Sequence, residues 1–154
     1  MRKIITAIAL FLVSYAGFAQ EDAVSEVKID MNFNKSLFPM AEGNMYMSAE
    51  PVAFIMANMM AQTYEDAKAE MQAISEDKDL TDVKKGELKE KGKDILYQTA
   101  LIKNDDGQDL VMEIYVVKVD KQNTIMVSGG YDLRAKETFK DEIKKAALSA
   151  KAVK

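Results

Sequence analysis

The chain contains neither cysteine nor histidine in its 154 residues. Those two absences exclude a Ser-His-Asp or Cys-His centre, a zinc site of the usual ligand types and a c-type haem attachment. A disulfide framework is excluded with them. What stays open is chemistry run by carboxylates, lysine, tyrosine or serine, and the acidic residues are scattered over polar stretches with no spacing that marks a catalytic pair. The reading is therefore of a protein that is not an enzyme, with no catalytic, metal or cofactor residues assigned. An excess of positive charge is missing too: 21 basic residues face 25 acidic ones, a formal charge of −4. An acidic chain repels phosphate backbones, so nucleic acid is not an expected partner.

The N-terminus carries a different kind of signal. Arg2 and Lys3 precede an almost unbroken apolar run from Ile4 to Val13, and Gly17-Phe18-Ala19 sets small residues at the −3 and −1 positions before Gln20. That is the layout of a cleaved secretory signal peptide. The run is shorter than the roughly 20 apolar residues a membrane helix needs. Residues 1–19 are accordingly expected to be removed, leaving 20–154 as one domain. Without Arg2 and Lys3, 19 basic residues remain against 25 acidic ones, a charge of −6. With no cysteine to lipidate, no stable membrane anchor is expected, and the location implied is periplasmic or secreted.

Val27, Ile29, Met31 and Phe33 alternate with Lys28, Asp30 and Asn32, the period-two pattern of a strand with one buried face. Residues 34–44 read as a loop leading to a short strand near Met45–Met47. Between Pro51 and Ile74 the apolar positions fit either one long helix or a buried strand followed by a helix. Thr63-Tyr64-Glu65-Asp66 supplies a capping hydroxyl and acids for a helix start, which favours a strand over about 52–59 and a helix over about 64–75. Extended segments follow at about 81–89, 94–103, 110–119 and 124–131, separated by Glu90-Lys91-Gly92-Lys93, Asn104-Asp105-Asp106-Gly107 and Asp120-Lys121-Gln122-Asn123. This is an antiparallel meander. The second and third segments are apolar on both faces and need cover on both, from the Tyr64 helix and from a C-terminal helix with a Phe139, Ile143, Ala146, Ala147, Ala150 stripe. The fold class is α+β: a single antiparallel sheet of about five to six strands packed with helices.

The order strand, helix, meander, helix carries Thr63-Tyr64-Glu65-Asp66-Ala67 at the first helix and Tyr97 and Gly107 in the long hairpin. It ends with Val127-Ser128-Gly129-Gly130-Tyr131-Asp132 before a helix closing at Ala147-Leu148-Ser149. Over residues of about 27–150 this pattern resembles the PsbP-like superfamily, which includes extrinsic photosystem subunits, a Ran-binding protein and exported bacterial domains. The resemblance implies an α/β/α sandwich. It implies no activity, since members share a scaffold rather than a function, and it carries over no binding residue.

Three features invite a functional reading. Met40, Met45, Met47, Met56, Met59 and Met60 crowd one stretch. Thioethers fill gaps in cores and line adaptable apolar pockets, and they are also soft ligands for Cu(I). A strand at 45–47 would put the sulfurs of Met45 and Met47 on one face. The second feature, Asn104-Asp105-Asp106-Gly107, suggests a calcium loop with Asn104, Asp106 and Glu113 as ligands. Ile102 stands where its first carboxylate belongs, and Glu113 falls in an apolar run, so the reading is a hairpin turn. The third, mixed charge over 84–93 and 136–145, reads as a solvated edge strand and a solvated helix face. Together these lead to an exported binding or accessory module whose partner is an unknown protein or an envelope component. The alternative is a binder of a small apolar ligand or Cu(I) through the methionine-rich segment.

Overall fold

A computed structural model describes residues 27–103 and 107–153. The expected signal peptide and its processing site lie outside the described residues, as do Asn104 and Asp106 of the considered calcium loop. The strands are β1 (Ile29–Asp30), β2 (Met40–Glu42), β3 (Met45–Ser48), β4 (Ala53–Met60), β5 (Leu80–Glu90), β6 (Lys93–Ile102), β7 (Leu110–Lys118), β8 (Thr124–Asp132) and β9 (Lys151–Ala152). The described residues also form two helices, α1 (Tyr64–Ile74) and α2 (Lys136–Ser149), and 3-10 turns at Lys35–Leu37 and Leu133–Ala135.

The main sheet is antiparallel in the order β2-β3-β4-β8-β7-β6-β5. It has seven strands, which corrects the expected five to six. The additional strand is β2. A two-residue turn at Gly43-Asn44 pairs Glu42 with Met45, and Gly43 takes the positive φ of 56° that such a turn requires. The stretch 34–44 read as loop thus closes into a hairpin. The second correction concerns 27–33. Only Ile29–Asp30 is strand, and it pairs with β9 in a separate two-stranded ladder. Met31 and Phe33 are still buried, because the backbone beyond β1 bonds to side chains of α2 instead of to a strand: Asn32 N donates to Ser149 Oγ at 2.8 Å and Asn34 N to Glu142 at 2.7 Å.

The strand-then-helix reading of 51–74 holds. Thr63 caps α1, its hydroxyl oxygen accepting from Asp66 N, and Glu65 and Asp66 sit in the first turn. The chain leaves β4 in the middle of the sheet, crosses one face as α1, and returns from the far edge through β5, β6, β7 and β8. It then crosses the other face as α2. The result is the α/β/α layering implied by the PsbP-like resemblance.

The two faces bury different cores. Under α2, Phe139, Ile143, Ala146 and Ala147 pack on Ile55, Ala57, Ile95, Val117, Ile125 and Val127, joined by Ile29, Met31, Phe33 and Phe38 of the N-terminal arm. Each large side chain fully buried here contributes about 1.5–3 kcal/mol. The helix approaches closely because Gly129 lacks a side chain: a Cβ there would stand 2.7 Å from Ile143 Cδ1. Under α1, Tyr64, Ala67 and Met71 pack on Leu96, Ile114, Val116 and Met126, with Met60 at the margin.

Candidate functional site

Neighbouring residues in register across an antiparallel sheet point to one face, as do residues two apart along a strand. Met40 is opposite Met47, and Met45 is opposite Met56. Met40, Met45, Met47 and Met56 therefore share a single face, and it is the α1 face, since Met60 lies two steps of two beyond Met56 on β4. The row continues inward: Met47 pairs with Phe54, Phe54 with Gly130 and Gly130 with Met112. Gly130 forms the floor on which Phe54 and Met112 lie. A Cβ at that position would meet Met112 Sδ at 2.6 Å and Phe54 Cε1 at 2.9 Å.

Helix α1 covers β6, β7, β8 and the last residue of β4, and it stops short of this corner. None of Met40, Met45, Met47 and Met56 belongs to either buried cluster. Met40 is 43% exposed and the other three are half-buried, whereas Phe54 and Met112 behind them are buried. The expected pairing of Met45 with Met47 on one face is present, and two further thioethers join it.

The remaining methionines are structural. Met31 is buried under α2, Met59 packs against that same core, and Met60, Met71 and Met126 pack around α1. The space enclosed beside Met60, Met71 and Met126 is about 20 Å³. That is room for about one water molecule, far below the roughly 300–1,000 Å³ of a ligand pocket.

The charged features resolve differently from their sequence appearance. Glu113, considered as a calcium ligand, lies on the α2 face of β7 and is 5% exposed. It accepts hydrogen bonds from Tyr115 Oη at 2.9 Å and Tyr131 Oη at 3.1 Å. Burial pushes its carboxyl pKa up, against the lowering effect of the two hydroxyls. Burial and the adjacent Glu113 carboxylate push both phenols up as well. This is a satisfied interior polar cluster, and it faces helix α2 rather than a cleft. Strand β5 is an edge strand carrying the charges of 84–90, as expected, whereas Lys93 opens β6 and donates to Ala150 O at 2.8 Å. On α2, however, Glu142 is buried, which corrects the reading of 136–145 as a wholly solvated face. Burial raises its pKa, but the bond from Asn34 N and the ion pair with Lys145 outweigh it, so the net shift is downward.

No cluster of three or more histidine, cysteine or acidic residues suited to a metal ion exists among the described residues. Tyr64 Oη is buried without a hydrogen-bond partner among the described residues, and desolvation first, then Glu87 and Asp94, push its pKa up to about 12. It borders an open groove lined also by Glu65, Lys89 and Lys118.

No protein-family model matches the sequence, and no curated protein does either. Solved structures do match. LpqN, involved in cell envelope biogenesis of Mycobacterium tuberculosis, superposes with a TM-score of 0.58 at 13% identity, covering 88% of each chain. A protein of unknown function from Pseudomonas aeruginosa, PA94, gives 0.51 at 13% identity over 83% of this chain and 85% of that one. The chain shares their fold. At such identities the likeness extends to the fold alone. Cyanobacterial PsbP (CyanoP) from Synechocystis sp. PCC 6803 also stands among the matches, at a TM-score of 0.46 and 10% identity, covering 88% of this chain and 98% of that one.

Proposed function

We propose that this protein is an exported, non-enzymatic accessory module of the cell envelope that binds its partner through the uncovered β2-β3-β4 corner of the sheet. The observation that carries the reading is the contrast on one sheet face. Where α1 lies, the face is closed and packed. At β2-β3-β4 no helix among the described residues lies over the methionine side chains, and Met40 is 43% exposed. An apolar surface that a fold leaves uncovered marks a place of interaction.

Two further observations support the cellular setting. Arg2-Lys3, the apolar run to Val13 and Gly17-Phe18-Ala19 have the layout of a secretory signal peptide. LpqN, whose fold this chain shares, is involved in cell envelope biogenesis.

Site-specific photo-crosslinking in intact cells tests the reading. A crosslinker at Met40 or Glu42 is expected to capture a defined envelope species, and one at Lys85 on the opposite sheet edge is not. Equal capture from both edges, or recovery of the protein in the cytoplasm, would overturn it.

A further inference from the structure

We propose that the β2-β3-β4 corner is a Cu(I) site built from the thioethers of Met45, Met47 and Met56, with Met40 at its rim. The inference rests on the reading of this corner as the binding face and adds a metal ion to what that face holds.

A half-buried strand surface is best filled by β-branched and aromatic side chains, and β4 has one of each, Ile55 on its α2 face and Phe54 on the other. Around Phe54, on the part of β2, β3 and β4 beyond α1, the sequence places methionine four times, at Met40, Met45, Met47 and Met56. Simple apolar cover would be met by valine or isoleucine. Methionine adds a long unbranched arm that can swing and a polarizable sulfur at its end.

Register then sets those residues side by side. Met45 and Met56 are directly opposed, Met47 lies two residues from Met45 on the same face, and Met40 is directly opposed to Met47. Opposed Cβ atoms in an antiparallel pair are about 4.5–5.5 Å apart, within reach of two methionine side chains converging on one ion. The three inner residues are half-buried while Met40 is exposed, so the cluster has a sheltered side and an entrance. Phe54 and Met112, packed over Gly130, close its inner side with apolar surface.

Donor chemistry fixes the ion. Soft thioethers select Cu(I), whereas Zn(II), Ni(II) and Mn(II) favour imidazole, thiolate or oxygen donors. The chain has no cysteine or histidine to compete for copper, so methionine is its only soft donor. Glu42, paired with Met45, is the acidic residue nearest in register, and a carboxylate beside the thioethers offsets the charge of a monovalent cation.

The test is an anaerobic titration of the purified protein with Cu(I) against a chelator of known affinity, repeated with Zn(II). It is read alongside the resonances of ¹³C-labelled methionine methyl groups. A single Cu(I) should be held, with shifts at Met45, Met47 and Met56 and none at Met71 or Met126, and Zn(II) should not compete. In a Met45→Leu, Met47→Leu, Met56→Leu protein binding should weaken by at least about 100-fold, since loss of even an outer-shell partner of a metal site costs about 10–100-fold. Leucine keeps the apolar volume, at a cost usually below about 1.5 kcal/mol per site. The double variant Met59→Leu, Met60→Leu should bind as tightly as wild type. Surrender of all Cu(I) to the chelator, undiminished binding by the triple variant, or shifts centred on Met71 and Met126 would each overturn the proposal. Crosslinking from Met40 is independent of copper, so a partner captured there without Cu(I) binding would sink the copper site and leave the binding face standing.

Discussion

Glu113 and Glu142 are both buried acids, and their environments drive them in opposite directions. Glu113 has a raised pKa, so the folded state holds its proton where the unfolded chain, titrating near about 4.3, has already released it. Its contribution to stability is full below that pH and is lost as pH rises through the folded value. Glu142 and Asp132 have lowered pKa values, Asp132 chiefly through its hydrogen bond with Arg134. Their contribution is present above about 4 and is lost as pH falls through their folded values. Glu113→Gln removes the titration; its amide oxygen still accepts from one tyrosine hydroxyl, and its NH2 donates to the oxygen of the other. Its melting temperature should exceed that of wild type by a few degrees at neutral pH, and the difference should shrink as the solution approaches pH 4.5. A difference that stays constant across that range in thermal unfolding would contradict a raised Glu113. The polar character of this cluster was invisible in sequence, because Glu113 stands in an apolar run and its partners Tyr115 and Tyr131 come from two strands that only the register brings together.

At the scale of elements, capping and turn chemistry were the most legible part. Thr63 with Glu65 and Asp66 marks the start of α1, and Thr63→Ala should cost about 1 kcal/mol, read from chemical denaturation. Lys91-Gly92 was recognisable as the β5-β6 turn, and both residues take positive φ, 51° and 77°. Gly43-Asn44 carries the same kind of signal, since Gly-Asn between short apolar runs is a hairpin sequence. Its flanks are brief and begin one residue after Pro39, which masked β2. Strand β1 misled for the opposite reason. Its alternation reports burial under α2 correctly, but alternation does not say whether backbone partners come from a strand or from the side chains of Ser149 and Glu142. The close approach of α2 to β8 also depends on a contact between distant residues. Gly129→Ala would drive a methyl group into Ile143 and into the Phe54 carbonyl oxygen 2.8 Å away. It should cost about 1–3 kcal/mol in the same experiment.

Over the whole molecule, the seven-stranded sheet has two dissimilar edges. The β5 edge bears Lys84, Lys85 and Lys89, a charge pattern that discourages sheet-to-sheet pairing. The β2 edge is three residues long and carries Met40 and Ala41. The crowding of methionines between residues 40 and 60 was plain in the sequence. Which of them face outward was not, because that depends on the end of α1 and on the register of three strands. Asn44 connects this edge to the N-terminal arm: its Oδ1 accepts from Ile29 N at 2.9 Å and its Nδ2 donates to Val27 O at 2.8 Å. Asn44→Ala leaves both backbone groups without those partners, each at about 1–3 kcal/mol if it stays buried. Amide exchange at Ile29 and Val153 should accelerate while that of β7 and β8 is unchanged.

The β1-β9 ladder also decides how the molecule would respond to tension. Ile29 pairs with Ala152 and Asp30 with Lys151, so the chain arrives and departs at the same end of an antiparallel pair. A force drawing the two ends apart acts across the rungs and breaks them one after another instead of shearing them together. Stretched between its termini, the protein would therefore yield first at this clasp, at low load, and the seven-stranded sheet behind it would bear force only after the clasp had opened.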